Sequence, residues 1–180
     1  MLDYEKLTAQ AKACGFTEAE PLDVSTLEFM QEVRDMCASD RCHAYGKNWA
    51  CPPACGSLEE MRDKVKVYAK GLLVQTVGQL EDNMDWEAMQ QAAADHAESF
   101  VRLHDDLLKD HPGLLAMGAG TCTRCKTCTY AEGKPCRFPD KLTYSMEACG
   151  LFVSKVCTDN SMKYNYGPNT VAYTACFLLE

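Results

Sequence analysis

Nothing in this sequence reads as a segment for export or for a bilayer. No leader of charged, apolar and small-residue regions opens it, and no apolar run is long enough to span a membrane. The expectation is a cytoplasmic protein that does not bind membranes. Positive charge is also short. A formal net charge of −8 excludes general affinity for nucleic acid, whose phosphates need a basic footprint. There is no glycine-rich phosphate cradle and no nucleophile elbow, so nucleotide-driven and hydrolase chemistry have no support. No repeat of fixed period is present either, which argues against a duplicated ferredoxin.

Cysteine is what the chain has in quantity, 12 among 180 residues. A chain of this length buries one proper core as a single domain and does not need disulfide staples. In a secreted protein such a count would mean a disulfide framework. In a reducing compartment it points to metal binding or catalysis.

Eight of the cysteines fall into two groups. The more specific is CTRCKTCTYAEGKPCRFP, in which Cys122, Cys125, Cys128 and Cys136 stand at C-x2-C-x2-C-x7-C. Three thiols at a three-residue step suit a loop wrapped around one compact object. The bacterial ferredoxin run, C-x2-C-x2-C-x3-C-P, matches the first three positions, and here the fourth is displaced. Iron–sulfur ligation is the first reading. Zinc is the second, since closed zinc sites more often use two separated C-x2-C knuckles. The other group, CASDRCHAYGKNWACPPACG, carries Cys37, Cys42, Cys51 and Cys55 at C-x4-C-x8-C-x3-C. Gly46, Pro52, Pro53 and Gly56 keep it irregular, which leaves backbone N–H groups free to point at sulfur. Tyr45 and Trp49 either shield a cluster or anchor the loop. His43 is read as a hydrogen-bonding or solvent-facing neighbour of the ligands rather than as a Rieske-type ligand.

Five basic residues between Thr121 and Lys141 (Arg124, Lys126, Lys134, Arg137, Lys141) face two acidic ones, Glu132 and Asp140. They offset thiolate and cluster charge or, on the sharper reading, form a docking surface for an acidic redox partner or an anionic substrate. Cys14 and Cys176 read as small core hydrophobes. Cys149 and Cys157 are left outside the ligand set.

The remaining pattern is that of an α/β fold, a small mixed sheet with packed helices and two projecting cysteine-rich loops. Helices are expected over Leu2–Ala13 closed by Gly15, over Thr26–Met36 capped by Ser25, and over Leu58–Ala69 with a Ser57/Glu60 capping box and Gly71 as its end. The longest follows Asp85 to about Lys109, with Ala88, Ala92, Phe100, Leu103, Leu107 and Leu108 as its buried stripe. His96 and His104 on it are read as part of a solvated, charged face. Short helices are expected at Thr143–Ala148 and Leu151–Val156. Ala19–Val24, Leu72–Val77, Leu114–Met117 and Thr170–Leu179 read as strands.

The run YGKNWACPP, then C-x2-C-x2-C, GKPCRFP and SMEACG, resembles the family of small cysteine-rich proteins labelled predicted metal-binding (domain of unknown function 2284). The resemblance covers the chain from about Cys37 to the final strand. It implies metal binding, iron–sulfur foremost, often in anaerobic prokaryotes, and it supplies no reaction. The matching positions are Cys37, Cys42, Cys51, Cys122, Cys125, Cys128 and Cys136, while Cys55 fits one variant of the pattern.

Eight thiols in two sets of four would hold two [4Fe-4S] clusters, with Cys55 and Cys136 open to exchange between the sites. Three function classes follow: an electron-transfer protein serving a partner oxidoreductase, a redox enzyme acting through an open cluster site, and a zinc-binding or metal-delivery module. For the enzyme, Tyr144, Ser145 and Glu147 are the first polar groups to test, against the plainer reading of a capped helix packed on the loop. Oligomeric state is not legible.

Overall fold

A computed structural model describes residues 2–180. Five strands form one mixed sheet in the order β1-β2-β5-β3-β4: β1 Glu18–Asp23, β2 Lys70–Gln79, β3 Leu115–Gly118, β4 Tyr144–Ser145 and β5 Thr170–Leu178. All neighbours are antiparallel except β3 and β4. Five α-helices pack around it: α1 Tyr4–Cys14, α2 Gln31–Met36, α3 Leu58–Val65, α4 Trp86–Asp110 and α5 Val153–Asp159.

The interior strands read as continuous apolar runs because both faces are covered. Leu72, Val74, Ala116, Ala175 and Phe177 face one core with α1 and α4. The alternate residues Leu73, Met117, Cys176 and Leu178 face a second core, with Met61 and Val65 of α3 and Val156 and Cys157 of α5. Period-two alternation thus splits each strand between two layers of helix. Gly78 lets α4 come close to β2, since a Cβ there would stand 2.7 Å from that of Ala92.

Several element boundaries agree with the sequence. Gly15 closes α1, which starts after Asp3 rather than at Leu2, Asp85 caps α4 through a 3.0 Å bond from the Ala88 N–H, and Ser57 with Glu60 forms a complete capping box on α3.

Others differ, each because tertiary pairing overrides local preference. The segment expected to be helical from Thr26 instead holds a short 3-10 turn, Val24–Thr26, and α2 begins only at Gln31. Ser25 caps nothing: its hydroxyl donates to Asp23 at 2.7 Å, and Asp23 is the cap. Phe29 is held as a β-bridge to Leu151, which delays the helix and also takes Leu151 out of the helix expected at Leu151–Val156. The third helix stops at Val65 rather than Ala69, because Lys70 and Gly71 are already paired in the sheet. Thr143–Ala148 is not helical. Tyr144 and Ser145 add a parallel edge strand to β3, and a tight turn follows through Gly150.

His96 and His104 are not on a solvated face. They are buried, 3% and 1% exposed, on the same stripe as Ala92, Phe100, Leu103 and Leu107. The positions 92, 96, 100 and 104 form an i, i+4 ladder, and the flanking carboxylates obscured it. Ala88 and Leu108 of the expected stripe are only half-buried.

Candidate metal centre

The first cysteine group spans 37–55 between α2 and α3 and is set by three supports. Arg34, three residues before Cys37 and so on the same helix face, donates through Nη2 to the Gly56 carbonyl, next to Cys55. Within the loop, Asp40 Oδ1 accepts from the Tyr45 N–H at 2.9 Å, Gly46 N–H donates to Pro52 O at 2.8 Å, and Cys55 N–H to Cys51 O at 3.0 Å. Beneath it lies the SMEACG turn. Its Ser145 N–H reaches Ala50 O at 3.5 Å, and the Cys55 thiol lies 4.0 Å from Ala148 O. Gly150 has a positive φ of 80° and meets the start of α2 so closely that a Cβ would stand 2.8 Å from Met30 O. That close approach is why this turn belongs with the cysteines although some 90 residues separate Cys55 from it.

Cys51 and Cys55 are buried, Cys37 is half-buried and Cys42 is exposed. Burial raises the pKa of Cys37, Cys51 and Cys55, that of Cys51 to about 12. Like charge adds to this: Cys42 and Cys55 raise Cys37, and Cys42, Cys55 and Cys37 raise Cys51. These thiols therefore lie within electrostatic reach of one another. Arg34 opposes the rise at Cys37 and Cys55, while Glu147 reinforces it at Cys37. A metal bound here would displace protons, and its affinity would rise with pH.

The second group, 122–136, is held mainly by charge. Arg124, with a side chain 9% exposed, pairs with Asp105 of α4 at 2.9 Å and with His104 Nδ1. Lys141 reaches the same Asp105 oxygen at 3.0 Å. Lys134 and Arg137 both pair with Glu132. Four of the five basic residues are thus paired within the protein, two on Asp105 and two on Glu132. Thr129 Oγ1 donates to Pro135 O at 2.8 Å, closing the seven-residue insert into a lobe. Cys128 and Cys136 flank that closure, so the displaced fourth cysteine returns beside the third. All four thiols of this group are half-buried.

The two groups adjoin. Cys51 and Cys122 share a small apolar cluster with Ala44, Ala50 and Leu142. Trp49 packs edge-on against Tyr130 with centroids 4.9 Å apart, and its N–H donates to Lys134 O at 3.2 Å. Trp49 therefore ties the two loops together. Tyr45 is 38% exposed, and His43 sits exposed at a left-handed turn.

Among the described residues, no group of three or more His, Cys, Asp or Glu side chains is arranged to hold a metal ion. The donor chemistry nevertheless fits a thiolate-bound centre. Among the described residues, three buried side-chain nitrogens have no hydrogen-bond partner, and two of them are guanidinium atoms beside the cysteine groups, Arg34 Nη1 and Arg124 Nε. The third is His96 Nε2. Unpaired cationic donors next to thiols suit an anionic centre. Cys14, Cys149, Cys157 and Cys176 are all buried. Cys149 lies close enough to Cys55 and Arg34 for both to act on its ionisation.

The turn residues Ser145 and Glu147 bond to each other at 2.7 Å, and Ser145 Oγ accepts from the Ala148 N–H, so both serve the scaffold. Tyr144 lines a cavity of about 410 Å³ with Trp49, Cys55, Glu60 and Lys64. Lys64 Nζ donates to the Tyr144 hydroxyl at 3.0 Å. Lys64 was not legible as a site residue, because it reads as a solvent-facing helix position. The only local hint is its place one turn beyond the capping box that follows Cys55.

Two cysteine-rich loops, joined to each other and underlain by SMEACG, decide the family. The chain belongs to the family described as predicted metal-binding protein (DUF2284). The match spans residues 20–179. No curated protein and no solved structure matches the chain. The DUF2284 family assigns metal binding, without naming the metal. No helix among the described residues is long and apolar enough to cross a membrane.

Proposed function

We propose that the two loops each hold a [4Fe-4S] cluster and that the protein carries single electrons to or from a partner oxidoreductase. The adjacency of the loops through Cys51, Cys122 and the Trp49–Tyr130 contact carries this reading. Two centres side by side in one small domain make a short relay, and one-electron exchange is the chemistry such clusters supply. Cys37, Cys42, Cys51 and Cys55 would ligate the first, and Cys122, Cys125, Cys128 and Cys136 the second. The chain's own contribution is to bring the thiols together, to cover Cys51 and Cys55, and to place Arg34 and Arg124 against the negative charge. A partner is required by the function, and its identity is open.

Anaerobic purification followed by iron, acid-labile sulfide and zinc analysis tests the proposal, with EPR before and after dithionite. About eight irons and eight sulfides per chain with reducible signals are expected. Zinc without sulfide would replace this reading with a structural or metal-delivery role.

The cavity beside Cys55 favours a second reading, a redox enzyme acting on a small substrate. Lys64 and the Tyr144 hydroxyl would be its polar contacts, in place of Ser145 and Glu147. An EPR spectrum altered by small added ligands in wild type, and unaltered in Tyr144→Phe, is its expected signature.

A further inference from the structure

Arg34 has two halves. Its Nη2 is used by the Gly56 carbonyl, whereas Nη1 is buried with no partner among the described residues. Burying a cationic N–H without an acceptor costs free energy that folds seldom leave uncompensated. The groups around it are thiols. Cys37 lies one helical turn on, and Cys55 precedes the residue that Nη2 grips. No carboxylate pairs with Arg34 among the described residues, in contrast to Arg124, which has Asp105.

We propose that Arg34 is a positioning residue for the first metal centre, its Nη1–H donating a hydrogen bond to a ligating thiolate or to a sulfide of the bound group. The inference rests on the reading that the first loop binds metal through Cys37, Cys51 and Cys55. Such outer donors orient ligands, partly neutralise them and commonly change affinity ten- to a hundredfold. Arginine suits the task because its fork serves Gly56 and the sulfur together, and it stays charged at any working pH.

The test is a Co²⁺ titration of the apo-protein followed by its thiolate-to-metal charge-transfer band. It is run in a Cys125→Ser background, which removes the second centre. Arg34→Gln is expected to lower Co²⁺ affinity about tenfold and to move the band to lower energy, because a thiolate that loses its hydrogen bond gives up charge more easily. Arg34→Lys should restore part of both. A merely structural role for Arg34 would lower the melting temperature and leave the band of the loaded protein in place, and that result overturns the inference. Where Arg34→Gln does not fold, ¹⁵N-arginine spectra of the unmutated residue in the Cys125→Ser protein decide. The Arg34 Nη1–H signal must shift and gain exchange protection on metal addition, and an unmoved signal overturns the proposal. A charge-transfer band that survives Cys37→Ser and Cys51→Ser together would instead sink the underlying ligand assignment, a separable outcome.

Discussion

Both cysteine groups carry four thiols, yet the protein holds them by different physics. The first rests on backbone: a helix face, a capping box and the SMEACG turn press against it, and two of its thiols are fully covered. The second rests on charge: Arg124 and Lys141 converge on Asp105, Glu132 gathers Lys134 and Arg137, and every thiol is half-buried. A covered site surrounded by low dielectric tunes its contents strongly and releases them slowly. An open, charge-held site is more responsive to salt and pH.

The largest test of this contrast removes one ligand from each side. Cys51→Ser and Cys125→Ser should each abolish one centre and leave the other, so metal content falls by about half in either variant while the double variant holds none. Loss of both centres from a single change would mean that the loops form one shared site.

Acid should separate the regions next. His96 and His104 both have pKa values lowered to about 4 from 6.5, chiefly by burial, with Arg124 as a further cause at His104. Each is neutral in the fold and gains a proton more readily when unfolded. Their stabilisation is therefore complete above pH 6.5 and lost as pH falls through about 4, by on the order of 3 kcal/mol for His96. Urea midpoints of the metal-free protein should drop across that window, and His96→Leu should flatten the drop.

Asp105→Asn strips the charged partner from Arg124 and Lys141 together. Because Asp105 is itself 39% exposed, the expected cost is about 2 kcal/mol, below that of a fully buried pair. Hydrogen exchange should rise across residues 121–141 and stay unchanged across 37–56. Equal loosening of both loops would erase the distinction drawn between them. The smallest effect expected is that of Trp49→Phe, which keeps a ring against Tyr130 and loses one hydrogen bond to Lys134 O, worth about 1 kcal/mol by thermal melt.

The secondary structure was legible where local signals were strong and unopposed. Ser57 with Glu60, Asp85 and Gly15 each marked a helix end, and the apolar runs at Leu72 and Val171 marked interior strands. Legibility failed where a distant partner decided the outcome. Phe29 and Tyr144 lie in segments with helical preferences, but Leu151 and Met117 supply ladder partners for them, and a ladder satisfies the backbone where propensity offers only tenths of a kcal/mol. His96 and His104 are buried by their position on the apolar stripe of α4, which residue type alone does not reveal. The eight cysteines stood out at once, since thiols at fixed short spacing report on a chemistry that needs them close together.

The sequence alone determined that this is a cysteine-loop metal-binding protein on an α/β sheet, because ligand type, loop-breaking residues and apolar periodicity are local properties. Only the tertiary structure decided that the two loops meet at Cys51 and Cys122, that SMEACG is the floor of the first, and that Arg34 stands there with one nitrogen unpaired. Those contacts join residues far apart in the chain, and what fixes them is the pairing of β3 with β4 and the packing of helices on both faces of the sheet.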